Sequence, residues 1–298
     1  MKCLAALVLC LQSFFLFADM LDLRSGDDVC RVDVEHGARI VSWKVRGEEM
    51  LWMPSVPQKA DGKWRHGGIP VVWPWQCDEY PDGQTNGPLH GVAWSSPFKV
   101  ESRRKTDRGE ELALSLEACG LRADYSISIE RERLRFRFRT TNVSTVPRTF
   151  AMSIHPYLFL PERNQTVVCG LDGLRYRDTR DGFATNGVWK GEMPLTAWAD
   201  HEFLRGSDAL GAIVTRSAPD GVLPMFSVVS EDADAFFVWN PGERWADMGA
   251  ALYGELPDDA WRHILSIEPS TSGMKDAKPL QPGESRELTA EISRVHSL

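Results

Sequence analysis

Apolar residues recur at every second position in several runs of this chain, and this periodicity constrains the fold more than any other feature. In Arg39–Val45 apolar and polar side chains alternate. The same alternation returns in Glu111–Ala118, Asp124–Arg133, Leu134–Asn142 and Ser285–Val295. A period of two indicates a strand with one buried face, and no window offers three turns of amphipathic helix. The sequence therefore predicts an all-β protein of antiparallel sheets, packed as a sandwich or closed as a barrel.

The balance of charge argues against a nucleic-acid partner. The 298 residues carry a formal net charge of −8, whereas a nucleic-acid surface requires clustered Lys and Arg. The one basic run, Arg131–Arg139, is interrupted by Glu132 and alternates with apolar residues. We therefore interpret it as the solvent-facing side of a strand.

The cysteines and the absence of internal boundaries narrow the class further. Cys30, Cys77, Cys119 and Cys169 are scattered, and no Cys-x-x-Cys motif occurs, so neither a metal site nor a cofactor is predicted. No linker, repeat or shift in composition divides residues 20–298. We therefore expect a single domain, and a monomer, over that range.

The N-terminal segment has the pattern of a secretory signal. Met1-Lys2 supplies a short basic start, and residues 3–18 are almost free of polar side chains, a stretch too short for a membrane span. We predict a signal peptide over residues 1–19, an exported (periplasmic or secreted) protein, and no stable membrane insertion after its removal. The alternative is that translation starts at Met20, which leaves a cytoplasmic protein.

Two apolar runs each carry one ionisable side chain directly before a proline. Glu268 precedes Pro269, where the strand is predicted to end, and His155 precedes Pro156. An unpaired carboxylate away from water is costly, so Glu268 is expected to be hydrogen-bonded, paired or used in chemistry. Together the two side chains supply the minimum set of groups for moving two protons on a small molecule.

The longest irregular stretch, Met53–Pro97, is rich in Gly, Pro and Trp. A loop of this length in a compact domain is usually functional or disordered, and its many tryptophans favour function. We expect it to fold over the sheet and line a pocket, with His90 as a candidate polar group. Trp73 and Trp75 either stack on a ligand or pack the loop against the sheet.

Eight short motifs occur in a characteristic order. They are Val41-Ser42-Trp43-Lys44, Glu49-Met50-Leu51-Trp52, Gly67-Gly68-Ile69-Pro70, Trp73-Pro74-Trp75, His90-Gly91, Trp239-Asn240-Pro241-Gly242, Leu256-Pro257-Asp258-Asp259 and Ile267-Glu268. The ordered set resembles the aldose 1-epimerase superfamily, and within it the D-hexose-6-phosphate mutarotase (glucose-6-phosphate 1-epimerase) group. The resemblance extends over nearly all of the chain after about Asp22.

This resemblance implies a large antiparallel β-sandwich of the galactose mutarotase type and the interconversion of α and β anomers of an aldose. By position, Glu268 matches the general base that takes the proton of the anomeric hydroxyl. His155 matches the general acid that protonates the ring oxygen. His90 and Asp200 match residues that hold and polarise the sugar. Burial is expected to raise the pKa of Glu268, and Asp200 to help keep His155 protonated.

The substrate prediction depends on two positions at which this sequence differs from the pattern of the family it resembles. Members that act on sugar phosphates carry arginines at the places occupied here by His66 and Trp94. We expect His66, Trp94 and Trp73 to contact the sugar. The loss of two guanidinium groups favours an unphosphorylated hexose, although a hexose 6-phosphate stays open.

Two other functions fit the same residues. One is a carbohydrate-binding protein that keeps the pocket and does no chemistry. The other is a glycosidase or lyase, which requires a second carboxylate facing Glu268, for which Asp200 is the candidate.

Overall fold

The computed structural model describes residues 20–54, 66–77, 79–81, 86–195, 198–219, 221–243, 260–271 and 276–296. The predicted signal peptide, residues 1–19, and the motif at residues 256–259 lie outside the described residues. Among the described residues, no helix has the length and apolar character needed to cross a membrane.

Nearly all regular structure in the described ranges is β-strand, and the strands are numbered in chain order. The smallest sheet has four strands: β1 (Met20–Ser25), β2 (Asp28–Asp33), β3 (Arg39–Val45) and β4 (Glu48–Glu49). Its order is β1-β2-β3-β4.

The second sheet has eight strands and carries the side chains discussed below. These are β5 (Val71–Val72), β10 (Ser153–Ile154), β11 (Leu158–Phe159), β13 (Arg175–Asp178), β14 (Asn186–Val188), β16 (Ala199–Leu204), β19 (Ala235–Asn240) and β20 (Ile264–Ser270). Their order is β14-β13-β16-β19-β20-β10-β5, and β11 also pairs with β20.

The third sheet has nine strands. These are β6 (Lys99–Lys105), β7 (Gly109–Ala118), β8 (Leu121–Glu130), β9 (Arg133–Asn142), β12 (Thr166–Cys169), β15 (Met193–Pro194), β17 (Leu210–Ala218), β18 (Gly221–Ser230) and β21 (Ser285–Arg294). Their order is β15-β12-β17-β18-β21-β9-β8-β7-β6. Three short 3-10 helices, η1 (Arg163–Gln165), η2 (Thr179–Asp181) and η3 (Ala260–Arg262), lie in connections.

The antiparallel β-sandwich predicted from the alternation is confirmed. The strand pairs in the described ranges are antiparallel. In β8 every second residue is buried, and Ile127 and Phe138 of the nine-stranded sheet share one core with Val238 and Ile267 of the eight-stranded sheet. The core therefore lies between the two large sheets.

The outer face of the nine-stranded sheet carries the basic run identified in the sequence. Arg135 Nε lies 2.9 Å from Glu291 Oε2, and Arg137 Nε lies 2.7 Å from Glu287 Oε2. These arginines are partly or fully exposed and paired with carboxylates on the neighbouring strand, so the run forms a mixed-charge surface.

Two predicted boundaries differ from the structure. The run Asp124–Arg133 crosses the turn at Arg131 and Glu132, because β8 ends at Glu130 and β9 begins at Arg133. Strand β20 does not stop at Pro269 but continues through it to Ser270, with Pro269 opposite Phe236 of β19. On its other side β20 pairs with β11 at Ile264 and Leu265 and with β10 at Ser270. The ladder described on that side has a gap at residues 266–269, where a residue without an N–H group is tolerated.

Candidate active site

The gap beside β20 is occupied by the segment that follows β10. In place of ladder bonds to β20, the His155 N–H donates to the Pro70 carbonyl at 3.1 Å and the Tyr157 N–H donates to the Gly68 carbonyl at 2.8 Å. The Gly-Gly-Ile-Pro motif thus holds this segment against the sheet.

The second glycine of that motif is required by geometry. Gly68 has φ +69°, and a Cβ there would lie 2.1 Å from the Ile40 carbonyl oxygen. Because an L side chain rarely adopts this backbone and has no room here, we interpret Gly68 as part of the support for the site.

The pleat of β20 divides its side chains between core and cavity. Leu265 and Ile267 belong to the core between the sheets, so Ser266 and Glu268 point to the opposite face. In register with them, Trp239 of β19 lies beside Ser266, and Asp200 of β16 lies beside Trp239. Three neighbouring strands therefore present polar and aromatic side chains on one face.

Glu268, Trp239 and Asp200 line a cavity of about 350 Å³, a volume within the range of about 300–1,000 Å³ usual for small-molecule sites. The lining residues are His66, Gln76, Cys77, Glu79, Leu89, His90, His155, Tyr157, Thr179, Gly182, Phe183, Asp200, Phe237, Trp239 and Glu268. The stretch predicted to cover the sheet supplies six of them. Of the seven predicted site residues, the structure brings Glu268, His155, His90, Asp200 and His66 together here.

Glu268 and His155 are in direct contact. His155 Nε2 lies 3.2 Å from Glu268 Oε1, and only 6% of His155 and 4% of Glu268 is exposed. The other ring nitrogen, Nδ1, lies 3.1 Å from the Ser266 hydroxyl. Tyr157 stacks on the imidazole with ring centroids 4.7 Å apart. An acid and an imidazole from segments more than 100 residues apart are thus held rigidly at one point of the cavity.

Burial drives both members of this pair towards their neutral forms. Burial raises the pKa of Glu268 well above its ordinary value, opposed by a hydrogen bond from Ser266 and reinforced by the charge of Asp200. Burial also lowers the pKa of His155 well below its usual range, and His90 and His66 act in the same direction. Burial therefore disfavours the charged form of each group, and because the two groups are in contact they titrate as a pair.

The expected role of Asp200 towards His155 is wrong. Asp200 is not among the groups that shift the pKa of His155; its charge acts on Glu268. The pKa of His155 falls because its ring is enclosed by other rings and by imidazoles, which disfavour a cation. Burial raises the pKa of Asp200 itself to about 6, and the charge of Asp178 adds to this effect.

The two remaining histidines of the cavity are held by specific contacts. His90 has φ +64°, and its Nδ1 accepts the Cys77 backbone N–H at 3.2 Å. His66 Nδ1 lies 3.0 Å from the Tyr157 hydroxyl. Both imidazoles are therefore positioned by polar contacts at Nδ1.

Trp94 and Trp73, predicted to contact the sugar, do not line the cavity. Trp94 is buried beneath the site, where it stacks on His90 with centroids 4.7 Å apart and lies 4.9 Å from the Arg39 guanidinium carbon. Trp73 is 0% exposed, and its indole N–H donates to Thr140 Oγ1 at 3.0 Å. The prediction is wrong for both because the core encloses Trp73 and His90 covers Trp94.

Sequence reasoning missed several lining residues. Tyr157 could have been found, since it is two positions after His155 and residues i and i+2 of an extended segment share a face. Phe183 gave no such signal. It has φ +72°, unusual for a bulky residue, and its ring lies 5.1 Å from the Arg177 guanidinium carbon. Only the fold brings its ring to the cavity.

A larger hollow of about 600 Å³ lies elsewhere, between β4 and β18. Its walls include Met50, Met225 and Phe226, with Glu48, Glu49 and Arg294 as its ionisable groups. Its described lining has no imidazole beside a carboxylate, so the smaller cavity is the better candidate for acid–base chemistry. Within the described ranges, no group of three or more His, Cys, Asp or Glu side chains could hold a metal ion.

We expect Asp200→Asn to stabilise the fold at pH 8. The pKa of Asp200 is about 6 in the folded protein against an ordinary 3.8, so the folded state favours the neutral carboxyl, and stability falls as the pH rises through this interval. Because Asn carries no charge, the variant does not lose this stability. Its free energy of unfolding at pH 8 should therefore exceed that of the wild type by up to about 2–3 kcal/mol. Urea unfolding at pH 4 and pH 8 measures it.

The matched control is Asp107→Asn, an exposed carboxylate far from the cavity, which should leave the pH dependence unchanged. An Asp200→Asn protein that is no more stable than wild type at pH 8 would contradict the raised pKa of Asp200 in the folded protein.

Fold and cavity together define a class: an antiparallel β-sandwich enzyme with a buried carboxyl–imidazole pair. Comparison with known proteins gives the family. The model of the family described as aldose 1-epimerase matches residues 20–293. The chain therefore belongs to the aldose 1-epimerase family and is an isomerase.

Individual relatives agree with this family. The chain is 25% identical over 279 residues to a Salmonella typhimurium protein assigned as a glucose-6-phosphate 1-epimerase, a match that covers 84% of this chain and 85% of the relative. It is 23% identical over 275 residues to an Escherichia coli protein with the same assignment, with the same coverage of both chains.

Solved structures show the same fold. A Synechocystis protein superposes with a TM-score of 0.74 at 18% identity, covering 93% of this chain and 96% of that one. A galactose mutarotase related enzyme from Lactobacillus acidophilus superposes with a TM-score of 0.68 at 16% identity, covering 93% and 97%.

Proposed function

We propose that the protein is an aldose mutarotase that interconverts the α and β anomers of a hexose, with Glu268 and His155 as the proton-transfer pair. The observation that carries the proposal is the 3.2 Å contact between His155 Nε2 and Glu268 Oε1 in a buried, ligand-sized cavity. In a cyclic aldose, the anomeric hydroxyl and the ring oxygen are bonded to the same carbon. Two proton-transfer groups in contact can therefore reach both oxygens at once.

The number of protons that Glu268 and His155 hold together suits this reaction. Ring opening needs a carboxylate to take the proton of the anomeric hydroxyl and an imidazolium to give one to the ring oxygen. Burial favours the neutral form of each group, and a neutral pair holds the required number of protons, because transfer of one proton from Glu268 to His155 produces the carboxylate and the imidazolium. Sugar oxygens that hydrogen-bond to both groups favour this ionic form.

After the open chain rotates about its first carbon–carbon bond, the same two transfers run in reverse. His155 takes back the proton from the former ring oxygen, and Glu268 returns the proton to the new anomeric hydroxyl. The ring closes on either face, and the pair recovers its starting state. General acid–base assistance of this kind contributes about 10²–10⁴-fold in rate.

The remaining lining residues have positions suited to holding the sugar. His90, His66 and Asp200 supply polar groups around the cavity. Trp239 and Phe183 supply aromatic surface, which suits the apolar face of a pyranose ring. These side chains act on the sugar by binding and orientation.

We propose an unphosphorylated hexose as the preferred substrate. Glu79, Asp200 and Glu268 line the cavity, and none of its fifteen described lining residues is Lys or Arg. A phosphate dianion is usually held by Lys or Arg side chains, and the described lining supplies none. The relatives assigned to glucose 6-phosphate are only 25% and 23% identical to this chain, so their assignment does not transfer to its substrate.

Anomer exchange followed by polarimetry and NMR tests the proposal. We expect the purified protein to accelerate the exchange of glucose and galactose more than that of glucose 6-phosphate. His155→Gln should remove the acceleration, while His263→Gln, a histidine outside the cavity, should retain it.

Exchange at the buffer rate for all three sugars would overturn the proposed function. Faster exchange of glucose 6-phosphate than of glucose would overturn only the substrate preference. Sugar binding by calorimetry without any exchange would favour a carbohydrate-binding protein.

A further inference from the structure

The loop between β13 and β14 holds Phe183 in a backbone conformation that a bulky side chain rarely adopts. Phe183 has φ +72° and directly follows Gly182, which has φ +69°. Its N–H donates to the Asp178 carbonyl at 2.9 Å, and the Asp178 N–H donates to the Thr185 carbonyl at 2.8 Å. Glycine, and to a lesser degree asparagine, suits such a left-handed position. The turn itself therefore favours a residue other than phenylalanine.

The ring of Phe183 packs on a cation that is fixed on the cavity side of the eight-stranded sheet. Arg177 of β13 lies opposite Glu202 of β16, and Glu202 lies two residues after Asp200, so the three side chains share the face that carries the cavity. The Arg177 guanidinium carbon lies 5.1 Å from the centroid of the Phe183 ring. Arg177 Nε donates to Glu202 Oε2 at 2.6 Å, and Glu202 is 0% exposed. A buried ion pair thus holds the guanidinium against the ring.

The part of the ring that the guanidinium leaves uncovered is available to a ligand. Phe183 lines the cavity, whereas Arg177 is not among the described lining residues. The polar side chains of Thr179 and Asp200 line the same cavity. A pyranose has an apolar face of C–H groups and a rim of hydroxyls, so an aromatic surface beside polar groups suits it.

We propose that Phe183 is a sugar-stacking residue, and that its ring is retained for the substrate at a cost to the stability of its own loop. This inference rests on the proposed function. Sparsely populated backbone conformations persist where the surroundings impose them, and they cluster at ligand sites. A ring that served the fold would cost stability when removed. A ring that serves the sugar costs affinity when removed.

Phe183→Asn separates these two roles, because asparagine tolerates the left-handed conformation and has no aromatic ring. We expect the KM for glucose to rise by about 3- to 10-fold, the size of one aromatic contact, with a turnover number within about two-fold of the wild type. In urea, the unfolding midpoint should be no lower than that of the wild type, because relief of the backbone offsets the lost contact with Arg177. Phe183→Tyr keeps the ring and should keep the wild-type KM.

The matched control is Cys119→Asn. Cys119 also has a positive φ, +54°, and is exposed in the turn between β7 and β8, outside the cavity lining. This variant should have the wild-type KM and an unfolding midpoint no lower than that of the wild type. A wild-type KM in Phe183→Asn would overturn the proposal. A lower unfolding midpoint in Phe183→Asn would also overturn it, since the ring would then serve the fold.

Calorimetric titration with glucose distinguishes this inference from the proposed function. If the wild type exchanges no anomers but binds glucose more tightly than Phe183→Asn does, the mutarotase function is refuted and the stacking role stands. If the wild type exchanges anomers and both proteins bind glucose equally, the function stands and the stacking role is refuted.

Discussion

Glu268→Gln is expected to reduce the rate of catalysed anomer exchange by about 10²–10⁴-fold. Glutamine has the shape of glutamate but cannot take a proton from the anomeric hydroxyl or pass one to His155 Nε2, 3.2 Å away. Because burial disfavours the charged carboxylate and Gln is a neutral side chain of the same shape, the free energy of unfolding at pH 7 should change by less than about 1 kcal/mol. NMR exchange spectroscopy on glucose measures the rate, and urea unfolding measures the stability.

A double-variant cycle sharpens this test. Since Glu268 and His155 exchange one proton, removing either disables the pair, and the Glu268→Gln, His155→Gln double variant should be about as slow as each single variant. Losses that multiply would show two independent groups instead. Glu287→Gln, on the outer face of the nine-stranded sheet, is the control and should match the wild type. A Glu268→Gln protein with wild-type exchange would remove Glu268 from the mechanism.

Trp73→Ala is expected to lower the free energy of unfolding by about 3–5 kcal/mol. The indole is completely enclosed and packs 6.4 Å from Phe138, centroid to centroid, while its N–H donates to Thr140 Oγ1. Truncation leaves a cavity in the core and removes the hydrogen bond that Thr140 Oγ1 accepts, so that the hydroxyl keeps only its contact with the Met152 sulfur at 3.4 Å. Such a loss is a large share of the roughly 5–15 kcal/mol by which domains are stable, and urea unfolding at pH 7 measures it.

Trp73→Phe separates stability from sugar binding. This variant keeps most of the ring volume and loses the hydrogen bond to Thr140, so it should fold with a smaller loss of about 1–3 kcal/mol. Its KM for glucose should equal that of the wild type, because Trp73 does not line the cavity. A raised KM with unchanged stability would restore Trp73 as a sugar-stacking residue.

The local features of the fold follow directly from the sequence. Alternation in Arg39–Val45 predicts β3 to the residue, and the same pattern predicts β9 and β21 to within one residue at each end. The run Asp124–Arg133 was placed three residues too far along the chain, because the charged residues around the turn between β8 and β9 gave no boundary. The strand around Glu268 continues through Pro269 because its neighbour on one side is missing there, a property of the sheet and not of the run.

The candidate active site likewise contains residues that the sequence identifies and residues that only the structure identifies. Glu268 and His155 were identified because each is a lone ionisable group in an apolar run, which is costly unless it is partnered. Trp73, Trp94 and Phe183 were misjudged or missed because aromatic residues suit a core and a ligand site equally well. The neighbouring residues in the sequence do not reveal whether an aromatic ring is enclosed by the core or faces the cavity.

By itself, the sequence determined the all-β class, the identity of the two proton-transfer candidates and the stretch that covers the sheet, since these depend on residue periodicity and on the energetic cost of burying charge. The tertiary structure alone decided that Ser266 and Glu268 contact the two ring nitrogens of His155, that the pKa of His155 falls, and that Phe183 but not Trp73 faces the cavity. Those outcomes depend on register between strands and on what surrounds each side chain, and both are set by contacts between segments that lie far apart in the sequence.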